Sequence, residues 1–371
     1  MKKNRQVVIA FLGNFNYDSR CLNLHHSFTQ RGYDVKVISF DWLTPNFKEQ
    51  IGDVSVLKLK KKSSFIYYLK FASQLIINLL GTNAGFYFAE DVYTLPFVVL
   101  IAKLKRGKVF YDSRELYGFL AGLRDRQIIQ KLLFKIESIF IRYADTIITT
   151  GEMDSEFIQK QYKINNTLVI RNLPLFQPID SPYNFRKVLS LSNETKILLY
   201  QGVVLHGRGL SLLLNVVKKI NDIVLVVMGD GEQREFYKKS ATDAGLIDRV
   251  YFMGKIPQRL LLNYTAGADI GFALIENISL SYYYALPNKM FEYIHAGLPV
   301  IVSNFPQMKK IVDDYKIGFA VNPEDDKEIT GAVEELIHNK SKYDEFTSSC
   351  RKAAEVLNWD AEIKKLFTVI E

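Results

Sequence analysis

Residues 287–292 read Pro-Asn-Lys-Met-Phe-Glu, and their types and spacing could hold an anion beside a sugar. Pro287 suits the first turn of a helix, and Asn288 suits a position at or near its cap. Free N–H groups and the helix dipole make such an end attractive to anions. Lys289 adds a full positive charge there. Glu292 follows Asn288 by one helical turn, and helical side chains lean toward the N-terminus. Its carboxylate would repel phosphate but accept hydrogen bonds from sugar hydroxyls. Phosphate beside a hydroxylated sugar describes a nucleotide or a nucleotide sugar. Met290, Phe291 and Ile294 supply a buried face, and Gly297 and Pro299 stop the helix. The same spacing also suits a well-capped helix with a surface glutamate.

Other loops offer complementary chemistry. In "QGVVLHGRGLSLLL" (201–214), Gly202 ends an apolar run and Arg208 stands between Gly207 and Gly209. A guanidinium in a flexible loop before a helix suits a phosphate. "MGDGEQ" (228–233, with Gly229) and "MGKIPQ" (253–258, with Lys255 and Ile256) are further tight turns after apolar runs. Such turns can be purely structural; their recurrence favours a shared ligand. In "LGNFNYDSR" (12–20), Gly13 admits close backbone approach, and Asp18 or Ser19 would cap the next helix. No G-x-G-x-x-G occurs, so this is not a dinucleotide fingerprint. "KVFYDSRELYG" (108–118) packs Asp112, Arg114 and Glu115 into four positions after an apolar run. That cluster points to a ligand cleft, although helix capping by Asp112 or Ser113 explains part of it.

The elements that must position these residues follow from periodicity. "VVIAFL", "DVKVISF", "KVFYD", "TIITT" and "TLVIRN" read as strands between helical patterns, which implies β/α units and a mostly parallel sheet. The pattern lapses into a Pro-rich linker over 174–187. A second series then runs "KILLYQG", "IVLVVMGDG", "VYFMGK", "IGFALI", "LPVIVS" and "GFAV". Two doubly wound domains are expected, because 371 residues exceed the roughly 250–300 that one core supports. Such sheets bind ligands beyond the carboxyl ends of their strands, so two placed face to face make a cleft. The ending "VLNWDAEIKKLFTVIE" places Trp359, Ile363, Leu366, Phe367 and Ile370 on one helical face.

Composition excludes some classes. The net charge of +8 fits a nucleic-acid, phosphate or anionic-membrane partner without choosing among them. The positive charges are not organised around an aromatic platform, which argues against nucleic acid. Cys21 and Cys350 form neither a disulfide framework nor a zinc spacing, which suggests a reducing compartment. The basic start followed by "VVIAFL" reads as a first strand rather than a signal peptide. No apolar stretch reaches the length of about 18 residues that a membrane span needs. The segment 65–80, after Lys58, Lys60, Lys61 and Lys62, reads as a partly buried helix; its alternative is a membrane-surface face.

"LPNKMFEYIHAGLPVIVS" resembles the signature of the family-four (group 1) retaining glycosyltransferases of the GT-B fold. "YDSREL", "VIRNLP", "QGVVLHGRGLSLLL" and the Trp359 segment resemble other segments of that family in the same order. The resemblance implies an α/β GT-B protein with two facing Rossmann-like domains and an interdomain cleft. Residues 1–176 would be the acceptor-side domain and 186–354 the nucleotide-sugar-binding domain. Residues 355–371 would form a helix crossing back to the first. Arg208 and Lys289 would hold the donor diphosphate, and Glu292 the ribose. The backbone at Lys255 and Ile256 would meet the base, and Gly13 would lie near donor phosphate and acceptor. Gly202, Gly229 and Asn288 would complete the donor site. The family often carries a glutamate where Tyr284 stands, an arginine where Val203 stands and a histidine where Arg114 stands. Tyr284, Asp112, Arg114 and Glu115 are therefore candidates for contact with donor sugar or acceptor.

The expected reaction moves a sugar, with retention and without a metal, from a nucleoside-diphosphate sugar to a hydroxyl of a glycan or lipid-linked acceptor. Surface polysaccharide or glycoconjugate synthesis would be its setting. No cofactor beyond the sugar-nucleotide co-substrate is implied. A cytoplasmic protein, peripheral on the inner membrane face, is expected. The rivals are a nucleotide-sugar epimerase and a non-catalytic sugar-binding partner of another transferase. Both phosphate-binding loops are expected to face solvent in the free protein.

Overall fold

A computed structural model describes residues 5–41, 54–58, 64–123 and 126–371. The chain divides into two compact units: residues 1–171 with 363–371, and residues 172–362.

The first unit is a parallel sheet of β1 (Gln6–Phe11), β2 (Asp34–Asp41), β3 (Val54–Lys58), β4 (Phe86–Ala89), β5 (Lys108–Ser113), β6 (Thr146–Thr149) and β7 (Thr167–Val169). Its order is β3-β2-β1-β4-β5-β6-β7. Chain direction therefore switches between β1 and β4, which pair in parallel from Val7↔Phe86 to Ala10↔Ala89. The central strands are buried on both faces, as in Val7, Val8, Ile9 and Ala10. This is why they read as unbroken apolar runs. Two strands, β3 and β4, were not among the runs read from sequence. β4 is only Phe-Tyr-Phe-Ala, too short for a periodic signal.

The second unit carries β8 (Lys196–Gln201), β9 (Ile223–Met228), β10 (Val250–Gly254), β11 (Ile270–Ala273), β12 (Val300–Ser303) and β13 (Gly318–Val321). All six strands match the sequence reading. Their order is β10-β9-β8-β11-β12-β13, with the switch between β8 and β11. Both units are doubly wound, and the fold class is the α/β GT-B type expected from the sequence. Beyond β7 the linker runs without regular structure to the short helix Phe185–Val188, where Phe185 is buried.

At the C-terminus, Trp359, Ile363, Leu366, Phe367 and Ile370 are all buried, but along two short helices, Trp359–Glu362 and Lys364–Ile370, rather than on the single helical face expected. Within the first unit, Phe367 meets Phe28 edge to face, with centroids 5.1 Å apart. The Arg31 guanidinium lies 3.7 Å above the Phe367 ring centroid. Residues 355–362 group with the second unit.

Candidate functional site

The helix Asn288–His295 is seated by the residue after Glu292. The Tyr293 hydroxyl accepts from the Gln201 amide at 2.9 Å and lies 3.2–3.3 Å from the Phe272 and Leu199 carbonyls. The Tyr293 ring fills the space over Gly271, where a Cβ would approach it to 2.3 Å. Met290, Phe291 and Ile294 are fully buried on the same side. The N-cap is Pro287, in extended conformation, and Asn288 is already the first helical residue. Asn288 is exposed and makes no capping bond, but it stands next to the cap, within the expected position at or near it. Gly297 ends the helix with φ +74°.

This seat places Lys289 and Glu292 at the β8/β11 switch point, where open α/β sheets bind ligands. Lys289 is only 8% exposed, and its Nζ lies 4.3 Å from the Tyr200 ring centroid. Burial pushes its pKa down to about 7, and the nearby Arg208 charge adds to the fall; Glu292 partly opposes it. The expectation that both phosphate-binding loops face solvent is thus corrected for Lys289, whose seat lies under the Tyr200 ring. Arg208 is half-buried; its Nε donates to the Tyr282 hydroxyl at 2.9 Å and its guanidinium stacks over that ring. No carboxylate pairs with Arg208 among the described residues. Burial raises the Glu292 pKa to about 7, against the pull of a Gln201 hydrogen bond and of Lys289.

The glycines at the strand ends have structural work of their own. Gly229 (φ +139°) packs so closely on Gly202 that a Cβ would fall 1.8 Å from the Gly202 carbonyl oxygen. The Gly229 amide in turn donates to the Gly254 carbonyl at 2.8 Å. Recurrent glycine at successive strand ends is therefore explained first by loops zipped to one another. Lys255 is exposed and Ile256 half-buried in the turn after β10. Tyr284 is half-buried at the end of the short helix Leu280–Tyr283, and its carbonyl accepts from Gln307.

The first unit's candidates are placed differently. Asp112 is 1% exposed, with both carboxylate oxygens taken by Arg20. It lies within β5 and caps no helix, which corrects that reading of it. Arg114 pairs with Asp18 at 2.6 Å and with Glu90, and lies 3.0 Å from the Cys21 sulfur. Burial pushes Glu90 up, and the Arg114 charge pulls it back. Asp18 also caps the helix Ser19–Gln30, and Arg114 together with that cap holds its carboxyl below the usual range despite burial. Glu115 is exposed. Gly13 stays close to the β2 edge, its carbonyl accepting from Phe40 N at 3.1 Å.

Sequence reasoning missed Tyr200, Gln201, Tyr282 and Thr265 in the second unit, and Glu90 in the first. One signal existed: Gln201 is a polar residue closing the apolar run "KILLY", and Glu90 does the same after "FYFA". No group of three or more His, Cys, Asp or Glu side chains among the described residues is placed to hold a metal ion.

The family model described as glycosyl transferases group 1 matches residues 183–354. That match lies within the second unit, which is similar to the group 1 glycosyltransferases. An uncharacterized glycosyltransferase of Methanocaldococcus jannaschii is 23% identical over 190 residues, covering 50% of this chain and 47% of that protein. The chain thus spans about half the length of that relative. The chitobiosyldiphosphodolichol beta-mannosyltransferase of Candida albicans is 19% identical over 90% of this chain and 81% of its own. Among solved structures, Anabaena HepE in complex with UDP and glucose superposes with a TM-score of 0.75 over 99% of both chains at 14% identity, a likeness of fold.

Proposed function

We propose that this protein transfers a sugar from a nucleoside-diphosphate sugar to a hydroxyl acceptor, with retention and without a metal. The observation that carries this reading is the convergence of Arg208, Lys289 and Glu292 at the β8/β11 switch point, with more positive than negative charge in a half-buried place. A diphosphate supplies the missing anion, and the ribose hydroxyls supply donors for Glu292. The backbone at Gly202, Gly229, Lys255, Ile256 and Asn288 lines the donor. In the reaction the bond from the sugar's anomeric carbon to the diphosphate oxygen breaks. The acceptor oxygen bonds to that carbon on the same face, and its proton passes to the departing diphosphate. Arg208 and Lys289 stabilise the negative charge that grows on the leaving group. These two cations take the part a metal plays elsewhere.

The acceptor is a lipid-linked glycan on this reading. The Candida relative's name specifies such an acceptor, and one surface of the first unit suits a membrane. No helix among the described residues is long and apolar enough to cross one. Three neighbouring helices, Ser64–Leu80, Leu95–Leu104 and Gln127–Phe140, nevertheless expose Ile66, Leu69, Ile77, Leu100, Ile128 and Leu132. Lys70, Lys103, Lys131 and Lys135 are exposed on them. Their one acidic residue, Glu137, is buried under Tyr111 and Tyr162. Lys103 pairs with the exposed Asp145 at 2.9 Å, so Lys70, Lys131 and Lys135 carry the positive charge of this apolar surface, which complements anionic lipid. Lys60, Lys61 and Lys62, also read as lipid-facing, lie outside the described residues, as does the Lys58 side chain. Ile128→Glu together with Leu132→Glu should abolish sedimentation with vesicles of phosphatidylglycerol. Unchanged sedimentation, or none by the wild type at low salt, overturns the membrane part. A cytoplasmic protein docked on the inner membrane face follows from the same reading.

A second reading is favoured by the first unit. Arg114 and Asp112 are consumed by internal ion pairs, which suits a sugar-binding partner that does not turn over. Incubation with UDP- and GDP-sugars, followed by proton NMR, separates the readings. Slow release of nucleoside diphosphate with the sugar first appearing in the donor's anomeric form supports a retaining transferase. Isomerised donor indicates an epimerase, inverted sugar rejects retention, and no turnover with tight binding indicates a partner subunit.

A further inference from the structure

The Glu292 carboxylate is held from behind by a chain of two buried side chains. Gln201 Nε2 donates to Glu292 Oε2. Thr265 Oγ1 donates to Gln201 Oε1 at 2.7 Å. Gln201 is 3% exposed and Thr265 is fully buried. Thr265 sits at the end of the helix Gln258–Thr265, and Gln201 is the last residue of β8. Three elements, β8 and the helices Gln258–Thr265 and Asn288–His295, are thereby tied at one carboxylate.

The orientation of the Gln201 amide sets the direction of this chain. Thr265 has one hydroxyl proton and two acceptors within reach, Gln201 Oε1 at 2.7 Å and the Leu261 carbonyl at 2.8 Å. Giving that proton to Gln201 turns the amide NH2 toward Glu292, and an NH2 group can only donate. The arrangement therefore suits an ionised carboxylate, which accepts on all its lone pairs. No described residue donates to the other oxygen, Oε1, and Glu292 is only half-buried. One oxygen is anchored and the other is left for a ligand's hydroxyls.

We propose that Gln201, held by Thr265, is a positioning residue that favours the charged form of Glu292 and aims Oε1 at the ribose hydroxyls of a nucleoside diphosphate. This rests on the donor-site reading above. A buried polar side chain at the end of an apolar strand otherwise costs stability without return. Here its two hydrogen bonds satisfy it and oppose protonation of the neighbouring acid. The chain makes the site selective for ribose: loss of a hydroxyl leaves a half-buried carboxylate oxygen without a donor.

The test compares whichever of UDP, GDP and ADP binds with its 2′,3′-dideoxy form and with inorganic pyrophosphate, by titration calorimetry. Wild type should prefer the ribonucleotide at least tenfold. Gln201→Leu should bring that preference to within about threefold while pyrophosphate affinity changes less than twofold. It should also shift the pH midpoint of the preference upward, because the carboxylate loses its donor. A hole left in packing alone moves neither the ratio nor the midpoint. Thr265→Val, which keeps the buried shape, should lower the ratio part of the way and reads the same quantity if Gln201→Leu does not fold. Retention of the wild-type ratio and midpoint in both variants overturns the proposal. Glu292→Ala separates the two layers: if it also keeps the ratio, the ribose reading itself falls, whereas loss in Glu292→Ala alone removes only the roles of Gln201 and Thr265.

Discussion

In the first unit, Arg114 meets Asp18 and Glu90, and Arg20 meets Asp112 with both carboxylate oxygens. In the second, Arg208 and Lys289 have only aromatic faces beneath them and the single carboxylate of Glu292 nearby. The first cluster has closed on itself: each guanidinium has its counter-charge inside the protein. The second remains open, with buried or half-buried cations that repel one another. A closed cluster fixes strand ends and helix starts. An open one gains its counter-charge from outside, and that is the physical difference between a brace and a binding site.

The largest effect should come from opening the closed cluster. Asp112→Ala removes the carboxylate that pairs with the buried Arg20, and breaking a buried pair in this way costs about 3–5 kcal/mol. Urea denaturation should register that loss. Unchanged stability, with only turnover affected, would break the comparison by making the first cluster functional too. Next in size is Arg208→Ala, which removes a charged donor worth roughly 1.5–3 kcal/mol to a bound diphosphate. Nucleoside-diphosphate affinity should fall roughly 10- to 150-fold. The unfolding midpoint should scarcely move, since no carboxylate loses its partner.

The smallest effect sharpens the contrast through pH. The Lys289 pKa lies at about 7 in the folded protein, below its ordinary 10.5. Between those values the unfolded chain binds more protons than the folded one, so the contribution of Lys289 to stability rises with pH across that window. Lys289→Met should flatten this rise. Glu292 has the opposite sign: raised from 4.5 to about 7, it contributes stability that falls as pH rises between those values. At pH 8 a bound diphosphate should recharge Lys289, so binding should take up protons. Calorimetry in buffers of different ionisation enthalpy measures that uptake, and its absence contradicts an open, partly neutral lysine.

Much of this was legible in the sequence for a plain reason. The second unit's strands are short, mostly apolar segments of four to six residues, most with a Gly turn beside them. The Pro-Asn-Lys…Glu helix also announces itself through residue types at helical spacing. What was hidden needed tertiary pairing. Asp112 and Arg20 are 92 positions apart, so nothing local marks Asp112 as spent. Gln201 meets Glu292 across 91 positions, and Thr265 lies 64 from Gln201. Local signals mislead about solvent access too: the type of Lys289 suggests a surface charge, but Tyr293 pulls its helix against β8 and β11 and takes Lys289 under the Tyr200 ring.

The central claim is that the open cluster of the second unit holds a nucleoside diphosphate. Titrating UDP, GDP and ADP into the wild type and into an Arg208→Ala, Lys289→Met double variant measures it directly, with circular dichroism to establish that both are folded. At least one nucleotide should bind the wild type, and the folded double variant should lose that binding altogether. Equal affinity in the two proteins, or no binding of any of the three by the wild type, would contradict it.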